Sequence, residues 1–201
     1  MIFTSPSSTL RRALAGFALA AATLLPAAAM AAGWDLDQLM QALATTADGR
    51  ATFTEKKFLS VLERPVESSG ELRYVAPDRL EKRTIAPSPE TMLVEGDTLT
   101  IERGRQKHTV RMQEYPELAG FIDSIRGTLG GDRKALERVF RLTLEGDARR
   151  WTLMLFPTDA RLARSVHLVR IGGARGQVGS IEIIQTDGDR SVMTITPVPG
   201  R

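Results

Sequence analysis

The sequence predicts a mainly β, α+β protein: one curled antiparallel sheet of about ten strands, forming an incomplete barrel closed by an N-terminal helix and a helical lid insertion. Three observations lead there. From Ala51 onward, apolar residues recur in short runs, many of them alternating, and the runs are divided by turn dipeptides such as Gly96-Asp97, Gly104-Arg105 and Gly146-Asp147. This is the pattern of hairpin-connected strands. Two segments break it with a helical period, one at the start and one in the middle. Finally, so many antiparallel strands cannot stay flat, because their twist curls the sheet until it closes, splits or wraps around something. The helices each have one apolar face to bury, and a concave apolar sheet offers the place.

The first helix opens at Asp35-Leu36-Asp37-Gln38, an N-cap with a capping-box partner three residues on, and Leu36, Leu39, Met40 and Leu43 share one face. Asp48-Gly49 is expected to stop it. Strands follow over 52–61, 68–75 and 80–85, with Pro77-Asp78 as a turn. The pair Pro87 and Pro89 forces a loop, since prolines this close cannot sit in a central strand. Residues 91–95, 98–103 and 106–112 continue as a meander. Pro116 then stands at a first helical position beside Glu117, and Leu118, Phe121, Ile122, Ile125 and Leu129 form an apolar stripe ended by Gly130-Gly131. Asp132 caps a second short helix running to about residue 140. Strands resume over 140–145, 149–156, 165–171, 178–186 and 190–196.

The first thirty-one residues read differently. Arg11-Arg12 precede an apolar run from Ala13 to Leu25, and small residues follow Pro26. This order of basic, apolar and small-residue regions is that of a secretory signal peptide, cut after Ala31 or Ala32. The apolar run is shorter than the roughly 20 residues a spanning helix needs. The mature chain, 32–201, is then expected to be a single exported domain, soluble and periplasmic. No cysteine occurs anywhere, which excludes disulfides, thiolate nucleophiles and an acylated N-terminal cysteine. The 27 Lys plus Arg against 24 Asp plus Glu give a formal charge of +3, but two of the arginines lie in the signal segment. A near-neutral mature chain gives no reason to expect a nucleic-acid partner.

Catalytic and metal-binding patterns are missing. His108 and His167 stand alone in strand-like runs, and no H-E-x-x-H, G-x-S-x-G, P-loop or dinucleotide fingerprint occurs. The acidic turns at Asp187-Gly188-Asp189 and Gly131-Asp132 have too few ligands for Ca²⁺. Lys56-Lys57 and Arg149-Arg150 are most simply solvated faces. No enzyme activity, metal or other cofactor is expected.

The order of motifs resembles the LolA-like family of periplasmic lipoprotein carriers, which share a half-barrel fold with the receptor LolB and the sensor RseB. The likeness spans essentially the whole mature chain. It rests on Phe53-Thr54-Glu55-Lys56 opening the first strand, Gly70-Glu71-Leu72-Arg73-Tyr74 and the following Ala76-Pro77, Leu93-Val94-Glu95-Gly96-Asp97-Thr98-Leu99, and Trp151-Thr152-Leu153. Lacking a lipobox cysteine, the chain is more like the soluble carrier than the receptor. The pattern is also nearer to LolA-like relatives associated with export of glycolipids or acylated pigments than to the housekeeping carrier.

The resemblance implies a carrier that shields the acyl chains of a lipoprotein or acylated lipid in a cavity. Such a carrier would take its cargo from an inner-membrane donor complex, deliver it to an outer-membrane acceptor, and act as a monomer. The alternative is a periplasmic sensor or scaffold domain of RseB type that binds a membrane-protein partner. On the carrier reading the cavity is expected to be lined by Phe53, Leu72, Tyr74, Leu80, Lys82, Leu93, Leu99, Ile101, Trp151 and Leu153. The lid lies within about 116–139 and carries Leu118, Phe121, Ile122, Ile125 and Leu129. Two departures from the family pattern stand out. The arginine that precedes the proline, associated in the family with lid closure, is Ala76 here. An aromatic is often found where this chain has Lys82, which either points into the cavity and favours an anionic head or points out as a solvated residue.

Overall fold

A computed structural model of the protein describes residues 34–45 and 48–199, with the side chains of residues 116–118 excepted. The segment expected to be a signal peptide, residues 1–31, lies outside the described residues. Helix α1 (Leu36–Ala44) begins as its sequence requires: the Asp35 carboxylate accepts from the Gln38 backbone N–H, and Gln38 accepts in return from the Asp35 N–H. Its stripe of Leu39, Met40 and Leu43 is buried.

Eleven strands follow, against about ten expected: β1 (Asp48–Phe58), β2 (Val66–Val75), β3 (Arg79–Ala86), β4 (Glu90–Glu95), β5 (Thr98–Arg103), β6 (Gln106–Arg111), β7 (Phe140–Asp147), β8 (Arg150–Pro157), β9 (Val166–Ala174), β10 (Gln177–Gln185) and β11 (Arg190–Pro197). All pair antiparallel in one sheet of order β6-β5-β4-β3-β2-β1-β11-β10-β9-β8-β7. The first and last strands are therefore neighbours at its centre, and β6 and β7 are its two edges. The chain between those edges carries a single 3-10 turn (Met112–Glu114) and the helices α2 (Pro116–Leu129) and α3 (Arg133–Glu137).

Three local expectations are corrected. Asp48-Gly49 does not stop the first helix but opens β1, where these residues pair with Val75 and Tyr74. α3 ends at Glu137 because the chain must turn to bring Phe140 opposite Pro157 at the start of β7. A further helical turn, α4 (Leu162–Ser165), has only Leu162 buried and so leaves no periodic signal; Asp159 nucleates it by accepting from the Arg161 and Leu162 N–H groups.

The pairing fixes which residues share the concave face. Opposite partners lie on the same side of a sheet, so Leu72 brings Ala51 and Lys82 with it, Lys82 brings Met92, and Met92 brings Ile101. On the other wing Leu153, Ile171, Leu144 and Ile181 share that face. Two cores result. The larger joins the α1 stripe, Leu136 of α3 and Leu162 of α4 to Phe140, Trp151, Leu153, Leu155, Val169 and Ile171. The smaller sets Ile122 of α2 and Met112 against Val94 and Leu99.

Candidate functional site: a cavity beneath helix α2

Between these cores the sheet and α2 enclose a cavity of about 1760 Å³. Its walls are Leu72 and Tyr74 of β2, Leu80 and Lys82 of β3, Met92 and Val94 of β4, Leu99 of β5, Ile181 and Ile183 of β10, and Met193 and Ile195 of β11; Phe121, Ile122, Ile125 and Leu129 of α2 cover them. Small-molecule pockets measure about 300–1,000 Å³, so this space suits something larger than a compact metabolite.

The ten residues expected on the cavity wall divide. Leu72, Tyr74, Leu80, Lys82 and Leu99 line it. Phe53 lies on the same face but is only 2 % exposed, with its ring beneath the Lys82 ammonium. Ile101 packs against the smaller core instead. Leu93 pairs with Glu81 and Thr100, between wall residues on either side, so strand alternation turns it to the convex face. Trp151 and Leu153 are 1 % and 0 % exposed and belong to the solid core under α1. Four of the five lid residues, Phe121, Ile122, Ile125 and Leu129, line the cavity; the Leu118 side chain lies outside the described residues. The isoleucines of β10 and the Met193/Ile195 pair were missed, although their spacing of two was a readable signal.

Lys82 points inward. Its Nζ donates to Glu55 Oε2 at 2.5 Å and lies 4.9 Å from the centre of the Phe53 ring. Glu55 is 4 % exposed and was not singled out in the sequence, although it shares Phe53's face of β1. Its carboxylate also accepts from Ser191 Oγ at 2.6 Å and Ser68 Oγ at 3.4 Å, with Lys57 Nζ at 3.9 Å. Burial pushes the Glu55 carboxyl up, but hydrogen bonds from Lys82 and Ser191 and the charges of Lys82 and Lys57 outweigh it and hold the group below its ordinary value. Lys57, read as part of a solvated face, also lines the cavity, while its neighbour Lys56 pairs with Glu67.

Arg126 ties α2 to the sheet. Arg126 Nη2 donates to the Asp78 carbonyl at 2.5 Å and to the Gly96 carbonyl at 2.7 Å, so one guanidinium pins the β2–β3 and β4–β5 turns to the helix. Ala76 is exposed in the first of those turns. The arginine that ties helix to turn therefore comes from the helix. Arg126 Nε and the Tyr74 hydroxyl are buried there without partners among the described residues. Burial raises the Tyr74 phenol pKa, the Arg126 charge opposes the shift, and Asp78 adds to it. On its other side α2 meets Leu162 and Leu136 through Gly120 and Gly127, where a Cβ would come within 3.1 Å and 2.9 Å of their methyls.

Among the described residues no group of three or more His, Cys, Asp or Glu is placed to hold a metal ion, and no helix is long and apolar enough to cross a membrane. The shape of the site thus points to a binding protein with an apolar hollow. Residues 27–196 match the family model for outer membrane lipoprotein carrier protein LolA-like. The chain belongs to this LolA-like family. Solved structures with a similar fold include a LolA superfamily protein from Nitrosomonas europaea, 9 % identical, covering 83 % of this chain and 92 % of that one with a TM-score of 0.47. The MucA/MucB complex of Pseudomonas aeruginosa gives 14 % identity, coverage of 83 % and 59 %, and a TM-score of 0.45. Mycobacterium tuberculosis lipoprotein LppX gives 12 % identity, coverage of 83 % and 96 %, and a TM-score of 0.42. No curated protein matches the chain. The LolA-like assignment rests on the family model.

Proposed function

We propose that this LolA-like protein is a periplasmic carrier that shields the acyl chains of a lipoprotein or acylated lipid, taking them from an inner-membrane donor and passing them to an outer-membrane acceptor. The observation that carries the reading is the 1760 Å³ hollow beneath α2, walled largely by aliphatic side chains. Each methylene kept from water is worth about 0.8 kcal/mol, so a fourteen-carbon chain is held out of water by on the order of 10 kcal/mol. Such a chain does not cross an aqueous space unshielded.

Delivery sets the opposite requirement, that the lid yield. Two features of the closed state favour this. Among the described residues, Arg126 alone ties α2 to the β2–β3 and β4–β5 turns by side-chain hydrogen bonds, and two buried donors beside that tie lack acceptors. A buried unsatisfied polar group costs about 1–3 kcal/mol, which opening to water returns. Native mass spectrometry of protein taken from the periplasm tests the proposal. It is expected to show acyl-containing adducts, released when α2 is loosened. A mass corresponding to empty protein, even after incubation with acylated peptides and glycolipids, contradicts it.

A further inference from the structure

The cavity wall carries one group that shielding hydrocarbon does not explain. Glu55 and Lys82 occupy inner-face positions on β1 and β3, flanked on that face by Phe53, Leu72 and Leu80. Removing each ion from water is costly, and a buried pair seldom recovers more than that cost. A pair of apolar residues would serve stability as well.

The arrangement is also unbalanced. Both Glu55 oxygens are engaged, Oε2 by Lys82 and Ser68 and Oε1 by Ser191. Lys82 carries three N–H donors, of which Glu55 takes one, and its remaining reach is into the cavity that it lines. Lys57 and Arg190 line the same end. Arg190 lies 3.5 Å from Glu182, whose other oxygen is held by Arg170, so these two guanidiniums share one carboxylate. Beside them, Lys82 and Lys57 stand against the single charge of Glu55. The N–H donors of Lys82 that Glu55 does not take can hydrogen-bond an anion placed here, and Lys57 adds a second positive charge beside it.

We propose that this cluster is a headgroup site selecting an anionic amphiphile, its carboxylate or phosphate held by Lys82 and Lys57 and its acyl chain running past Ile183, Ile181 and Met193 toward α2. The proposal rests on the carrier reading and adds the charge of the cargo to it. Glu55 then acts as a positioning residue: its hydrogen bond holds the Lys82 ammonium on the cavity wall.

The test compares three ligands with the same fourteen-carbon chain: tetradecyl phosphate, tetradecyl maltoside and tetradecyltrimethylammonium. Each displaces a fluorescent fatty-acyl probe from the full mature protein at low ionic strength. The phosphate is expected to bind about tenfold more tightly than the maltoside, and the ammonium more weakly than either. The double variant Glu55→Gln/Lys82→Met removes both charges at once, so no lone ion is left buried. It is expected to bind the maltoside as the parent does while the phosphate preference shrinks to about twofold. Lys57→Met, at a half-exposed position that the fold does not depend on, is expected to cut the preference about threefold and gives the same answer should the double variant not fold. Equal binding of phosphate and maltoside by the parent, or a phosphate preference that survives in the variants, overturns the headgroup site and leaves the carrier reading standing. Failure of all three ligands to displace the probe overturns both.

Discussion

The two wings of the sheet are built from the same alternating strands yet end as different materials. Around β7, β8 and β9 the concave face carries Phe140, Trp151, Leu153 and Leu155, and α1, α3 and α4 press leucines into it until nothing is exposed. From β10 through β11 and β1 to β4 the same face sets Ala51, Ser191, Met193 and Met92 among its leucines and isoleucines, and α2 spans it without filling it. Trp151 closes its wing further by donating its indole N–H to the Arg175 carbonyl at 2.8 Å. One wing is a foundation and the other a hollow. A solid half can hold the shape of a cavity whose own wing has only the smaller core of Val94, Leu99, Met112 and Ile122.

The sharpest way to break this contrast is to truncate one residue in each wing. Leu153→Ala is expected to cost about 2–5 kcal/mol in denaturant unfolding, as a large-to-small change in a packed core does. Leu72→Ala, on the cavity wall, is expected to cost about 1 kcal/mol or less, because its side chain already faces empty space. Equal costs would mean that the wall is a core after all.

Filling the hollow sharpens the comparison from the other side. Ile183→Trp is expected to leave the unfolding midpoint nearly unchanged while lowering acyl-probe affinity about tenfold, since it takes volume that the chain needs. The same enlargement at Val169, fully buried in the solid wing, is expected to destabilise by about 1–3 kcal/mol. A stable Val169→Trp with normal binding would remove the distinction.

Much of this contrast was not legible in the sequence. Alternation puts Leu72, Tyr74, Leu80 and Leu99 on one face, which lines the cavity, and the stripe Phe121, Ile122, Ile125 and Leu129 lies over it. Period two cannot say what covers a strand, however, so Trp151 and Leu153 looked the same as Leu72, although α1 buries them completely. Leu93 was misplaced because Leu93 and Val94 are both apolar, and only the register with β3 decides which turns inward. Glu55 went unnoticed because its partners lie 27 and 136 residues away, at Lys82 and Ser191. α4 had too few residues to show a period. The expected signal peptide falls on residues outside the described ones.

Loosening the lid is expected to have a smaller effect, confined to one wing. Arg126→Met removes two hydrogen bonds from a charged donor, each worth about 1.5–3 kcal/mol locally. Hydrogen exchange should accelerate in α2 and the β2–β3 and β4–β5 turns and stay slow in β8 and β9. Exchange rising equally in both wings would show that α2 is part of the foundation. The smallest effect is on pH dependence. Because the folded Glu55 carboxyl is held below its ordinary value, its contribution to stability is fully present above the unfolded value of about 4.3 and is lost as pH falls through the folded one. Glu55→Gln is therefore expected to flatten the acid limb of the stability curve, and an unchanged limb would place the acid sensitivity elsewhere.

The most direct test of the hollow wing uses a spin-labelled fatty acid with methyl-labelled protein. Paramagnetic broadening should reach the Ile122, Ile125, Ile181 and Ile183 methyls and spare those of Leu153, Leu155, Val169 and Ile171. Broadening that falls on the second group, or on neither, would contradict an acyl-accessible cavity beneath α2.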